Sequence, residues 1–318
     1  MKIKKEYAVL FFIIAVLIYY ISSERSDRTH YTLPEVRKIQ KADISKINIK
    51  KKNSEVILIR EGDGWLVGPD RYPAGDSGVE KIIDRITGLK LTAMVSESKN
   101  YPLYELDKGH AIDLEAFRGD ELLLKVVVGK PASSYRHTFV LLGDDHRVYH
   151  ADGNLKNEFN KTVSDLRDKK VMTFSDEIME ITLKKGKDEL TIIKETAPVS
   201  VDVTGKEEEG EPEQAEPAKW IIPGGKPVKQ KEVDEIVSTL SNLHCDNFIE
   251  DKSRDDYTSP VYTITLRGAG TYSLSLFEKK EGQHPAVSSQ SEYPFLLSEW
   301  KAGRIMKDPG SLSEEDSK

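Results

Sequence analysis

The chain has 318 residues, 38% of them hydrophobic and 32% charged, which is enough apolar material for one large or two ordinary domains. A formal net charge of −7, with no cluster of uncompensated Lys and Arg, argues against a nucleic-acid partner, whose phosphates need such a cluster. The single cysteine, Cys245, excludes an intramolecular disulfide and a thiolate metal cluster.

At the amino terminus Lys2, Lys4 and Lys5 precede an apolar run over residues 7–21, which the polar stretch 22–28 closes. Fifteen helical residues reach about 22 Å, and the roughly 30 Å hydrocarbon core is met by snorkelling of Lys4 and Lys5 and by the flanking serines. The lysines favour an amino terminus in the cytoplasm and an exported remainder. An uncleaved anchor over residues 1–23 is the expectation, because the run ends in Tyr-Tyr-Ile-Ser-Ser without a small-x-small cleavage site. A cleaved signal peptide and a buried element of a soluble protein are the alternatives.

A polar tether, residues 24–42, leads to Asp43-Ile-Ser-Lys-Ile-Asn-Ile-Lys50 and Ser54-Glu-Val-Ile-Leu-Ile-Arg60, which alternate as strands do, and then to Trp65-Leu-Val67. The same order recurs as Asp176-Glu-Ile-Met-Glu-Ile-Thr-Leu-Lys184, Glu189-Leu-Thr-Ile-Ile193 and Trp220-Ile-Ile222, so an internal repeat is expected. An amphipathic helix follows in each copy. Its apolar positions are Val79, Ile82, Ile83, Ile86 and Leu89 in the first, and Val233, Ile236, Val237, Leu240 and Leu243 in the second, with the same spacing. Hairpin strands come next, around 111–128 and 261–277, with further strands at 138–142, 147–150 and 293–297.

The first copy closes with a helix of about a dozen residues whose apolar face is Leu155, Phe159, Val163 and Leu166. The second copy has only a stub around 300–306. It also carries an acidic Pro/Gly-rich insert, residues 202–218, that cannot bury a core and reads as a disordered loop. The copies are bounded at 43–174 and 175–306, with a disordered tail at 307–318.

Taken together, the strand Asp43 to Lys50, Gly64-Trp65, Tyr72-Pro73-Ala74, Val128-Gly-Lys130, and Val148-Tyr149 leading to Asp165-Leu-Arg-Asp-Lys169 resemble the bacterial domain of unknown function 4340. The resemblance implies a membrane-anchored, exported companion of an ABC-type transport system, the gliding-motility auxiliary type included. It brings no catalytic residues. The chain departs from the family at Tyr104-Glu-Leu-Asp-Lys-Gly-His110, where a Gly-Leu-x-x-Pro turn is usual.

Several motifs invite a chemical reading. Gly75-Asp-Ser-Gly78 looks like the nucleophile turn of a trypsin-like serine protease, yet the chain offers no matching His and Asp in that order with a double β-barrel pattern around them. Ser77 with Glu80 reads better as a capping box. His137, His146 and His150, with Asp144 and Asp145, offer metal-ligand types, but Gly143-Asp-Asp-His146 reads as a hairpin turn, and residues 146 and 150 of one strand stand about 13 Å apart. Val128-Gly-Lys130 lacks the rest of a phosphate loop and reads as a turn. Trp65 and Trp220, equivalent in the repeat, read as core, and Cys245 as a small, partly buried hydrophobe. The acidic run 207–209 reads as a solvated loop.

The expected architecture is α+β: an N-terminal transmembrane helix, then two similar units of antiparallel β-hairpins, each with a crossing amphipathic helix. The expected function is non-catalytic binding or scaffolding at the cytoplasmic (inner) membrane, single-pass, with the bulk of the chain on the extracytoplasmic, periplasmic side. The partners are the membrane and the permease or ATPase subunits of a transporter. No catalytic residue, cofactor or metal is expected. The alternatives are an envelope glycan- or peptide-binding module using the cleft between repeats, and a metal-dependent hydrolase built on His137, His146 and His150.

Overall fold

The computed structural model describes residues 12–19, 31–195 and 218–314. It divides into two compact units, Met1–Arg167 and Asp168–Lys318. The break falls a few residues before the junction expected at 174, because strand β10 (Lys170–Thr173) pairs with β15 (Asn242–His244) of the second unit.

The first unit is one nine-stranded antiparallel sheet of order β4-β3-β2-β1-β6-β7-β8-β9-β5. Its strands are β1 (Lys46–Lys51), β2 (Ser54–Glu61), β3 (Gly64–Val67), β4 (Tyr72–Pro73), β5 (Leu91–Ser96), β6 (Ile112–Arg118), β7 (Glu121–Pro131), β8 (His137–Leu142) and β9 (Val148–Asp152). Alternation explains the faces: Ile47 and Ile49 of β1 are fully buried, whereas Asn48 and Lys50 point the other way. Helix α1 (Asp76–Thr87) carries the chain from the β4 edge to the β5 edge and covers the buried face with Val79, Ile82, Ile83 and Ile86. Fully burying one such side chain contributes about 2 kcal/mol, so this face holds the unit together.

The second unit, with strands β11 (Glu180–Lys185), β12 (Asp188–Glu195), β13 (Lys219–Ile222), β14 (Lys226–Pro227), β16 (Asn247–Phe248), β17 (Tyr262–Arg267), β18 (Thr271–Leu276), β19 (Gln283–Ser288) and β20 (Phe295–Ser298), repeats the order as β14-β13-β12-β11-β17-β18-β19-β20-β16. Its helix (Gln230–Leu240) buries Val233, Ile236 and Leu240 against Ile181, Leu183, Ile264 and Leu274. Leu89 and Leu243 both fall just beyond their helices and still pack on the cores. Trp65 and Trp220 are buried at matching places, facing Arg60 and Lys194 across the sheet. The duplication read from the spacing is therefore present in the topology.

Four local expectations are corrected. Helix α1 begins one residue before Ser77, with Gly75, which has no capping side chain, at its N-cap; the Gly75 amide donates to the Leu166 carbonyl and fixes the entry there, so no Ser77 box forms. The closing helix of the first unit is two short ones, α2 (Leu155–Phe159) and α3 (Val163–Leu166). Lys51 Nζ donates to the Asn160 side chain and the Lys161 carbonyl, and Thr162 and Asp165 form a capping box that restarts the chain. Val128-Gly-Lys130 lies inside β7 rather than in a turn. The tether and tail are not free throughout: Leu33, Val36 and Ile39 pack on the first core, and Leu312 is buried beside the Val228–Ser313 bridge.

The expected anchor falls largely outside the described residues, of which 12–19 are helical. No helix among the described residues is long and apolar enough to cross a membrane. The acidic insert also lies outside them, apart from Ala218.

Candidate functional site

Strand order creates the site. β5 is at the far edge and β6 in the middle, so residues 97–111 must return across β9, β8 and β7, and the buried face is already filled by helix and core. The segment crosses the open face instead. A 3-10 turn, Tyr101–Tyr104, places the Tyr104 ring 4.9 Å from Phe139 of β8, and Tyr101 donates to the His146 carbonyl. Leu106 is buried against Gly129 of β7, where a Cβ would stand 2.3 Å from the Tyr104 carbonyl oxygen and 3.0 Å from Leu106. That close approach, with the register shift beside it, is why glycine sits within a strand there.

Glu105, ahead of Leu106, adopts φ 54°, the left-handed region that favours glycine. Its carboxylate takes a short bond from Lys156, and that ammonium holds its pKa below the usual carboxylate range. Asp107 and His110 pair at 2.6 Å further along.

Together the segment and the sheet enclose a concavity of about 760 Å³. Its floor is the open face of β1, β6 and β7, and its wall is formed by Tyr101, Leu106 and Lys108.

Beyond the wall, the candidate histidines are placed apart from one another in role. His137 and His150 stack, ring centroids 5.5 Å apart, with Phe139 4.8 Å from His150. His146 is exposed in the β8–β9 connection. Burial first, and His137 second, lower the His150 pKa, and its Nε2 is buried without a hydrogen-bond partner. Among the described residues no group of three His, Cys, Asp or Glu is placed to hold a metal ion.

Asp145 does structural work: its carboxylate accepts from Arg147 Nε at 3.1 Å, Nη2 at 2.7 Å and the amide at 2.9 Å, and from the buried Tyr149 hydroxyl at 2.7 Å. The Arg147 bonds hold the Asp145 pKa far below the carboxylate range, while burial and then the Asp145 bond push the Tyr149 phenol up to about 12. Asp144 is exposed and, among the described residues, pairs only with Lys125. Ser77 lies on the first turn of α1, and Cys245 is fully buried in the second core. The crossing segment and its concavity were missed by sequence reading; the only signal was the glycine in β7, misread as a turn.

No curated protein and no solved structure matches the chain. A family model described as a domain of unknown function, DUF4340, matches residues 65–260, more than half of the chain and parts of both units. The chain belongs to the DUF4340 family.

Proposed function

We propose that this is a non-catalytic binding protein, held at the cytoplasmic membrane by its amino-terminal segment, with both units outside the cytoplasm as an accessory of an ABC-type transport complex. One observation supports the anchor: residues 12–19 are a helix apolar on every side, with Phe12 70% and Tyr19 75% exposed. Such a surface is unfavourable in water and suited to hydrocarbon. Lys2, Lys4 and Lys5 before it set the orientation. The transporter company rests on the family resemblance, and tethering would raise the chain's local concentration beside a membrane partner.

The test uses full-length chain in its native membrane. Resistance to alkaline extraction, with both units degraded by protease added from the extracytoplasmic side, is the expected result. Release by alkali, or protection from that protease, overturns the placement. Gentle-detergent capture with mass spectrometry should bring down a permease and an ATPase; recovery of the chain alone overturns the accessory role.

A further inference from the structure

An open sheet has two outer strands, each with a row of backbone donors and acceptors that another strand can complete. Three of the four outer strands of the nine-stranded sheets are closed to such addition. β4 (Tyr72–Pro73) and β14 (Lys226–Pro227) are two residues long and end in proline. β16 is also two residues long, with Asp246 before it and Glu250 and Asp251 after it. β5 is the exception. It holds in the first sheet the place of β16 in the second, since Ala93 and Met94 pair with His150 and Tyr149 as Asn247 and Phe248 pair with Leu296 and Phe295. Yet it runs from Leu91 to Ser96 without a charge or a proline, and no described strand pairs with its outer side.

Charge and twist both bear on what completes this edge. Lys90 and Glu97 bracket the strand, both are exposed, and neither has an ion-pair partner within 4.0 Å among the described residues. Of the charges around them, Arg147 is held by Asp145, and Lys99 and Asp152 are exposed. A strand with a cation at one end and an anion at the other matches itself when reversed. Antiparallel to a second copy, each Lys90 comes to the end where the other copy's Glu97 stands, and the uncharged middle avoids the like charges that would otherwise meet across a two-fold axis. Register shifts against β9 leave Thr92 and Val95 outside that ladder, and such bulges add a right-handed twist that turns a flat strand away. A two-fold mate carries the same twist, so the bend discriminates against other strands more than against a second copy.

We propose that β5 pairs antiparallel with β5 of a second copy of this chain, joining two first-unit sheets edge to edge, with Lys90 and Glu97 closing both ends of the junction. So short a strand buries less than the roughly 1,200–2,000 Å² of a stable soluble complex, and the pair therefore belongs to chains already concentrated on a membrane. In that respect it rests on the anchor proposed above, and not on the transporter.

Cross-linking of the full-length chain in its native membrane tests it. Cys245 is buried, so wild type is the unreactive control. Position 93 lies at mid-strand, where two-fold antiparallel pairing brings the two Cα atoms within about 8 Å, so Ala93→Cys treated with a short bismaleimide should give a linked pair of chains. In that background Lys90→Glu or Glu97→Lys should lower the linked fraction roughly threefold to tenfold, and the two changes together should bring it back to within about twofold. Val95→Lys sets like charges against each other near the axis and should abolish the link. The pairing is overturned by a chain that resists alkaline extraction yet gives no linked pair, by a link to a different polypeptide, by charge variants that link as well as their parent, or by a double variant as low as the singles. A chain released by alkali that still links keeps the pairing and loses the anchor.

Discussion

Gly129 shows how a single residue decides whether a segment can lie where it does. A methyl group there meets backbone, the Tyr104 carbonyl at 2.3 Å, which cannot swing away as a long side chain can. Gly129→Ala should therefore cost about 1–3 kcal/mol, seen as a lower urea midpoint, whereas Gly62→Ala in the open β2–β3 turn pays only for its positive φ. His150 makes the second residue-scale case. Its folded-state pKa lies below the free value near 6.5, so acidification protonates the unfolded chain first. Stability is full above about pH 6.5 and declines as pH falls toward the folded value. His150→Phe keeps a ring against Phe139 and removes the proton site, and equilibrium unfolding from about pH 7 to 5 should then lose most of that slope. The role of Gly129 was not legible in the sequence, because it depends on a segment from elsewhere in the chain lying across the sheet, and that of His150 was not because it depends on strand pairing with Phe139.

Elements were read well by period and poorly at their ends. The apolar spacing from Val79 to Ile86 identified helix α1 and its buried face, since burial requires that spacing. Its start was misplaced because Ser77 and Glu80 satisfy a local rule while a tertiary bond, the Gly75 amide to Leu166, sets the entry. The same competition broke the closing helix, where Thr162 and Asp165 cap a new turn that the unbroken apolar pattern concealed. The two caps can be compared directly. Thr162→Ala should cost about 1 kcal/mol, and Ser77→Ala should stay within about 0.5 kcal/mol of wild type, both by thermal unfolding. Equal losses would restore the Ser77 cap.

At the scale of the molecule, the repeat was legible because burial constrains both copies alike, whereas the open faces diverged and gave the sequence no common signal. Ile47 and Ile181 occupy the same register position, pair with Ala116 and Leu266 in the same way, and are both fully buried. Each Ile→Ala substitution should cost its own unit about 2–5 kcal/mol, measured as loss of amide protection in that unit. Likeness between the copies also has a kinetic side. β1 must find β6, and β11 must find β17, across long stretches of chain, with the same strand order around each. A chain diluted from denaturant presents all four strands at once, and β1 can zip onto β17 with its isoleucines still facing inward. All nine strands of the first sheet lie between residues 46 and 152, ahead of any strand of the second. Emergence from the ribosome thus completes one sheet before its rival strands exist, so the direction of synthesis sorts two near-equivalent pairings that composition alone leaves almost degenerate.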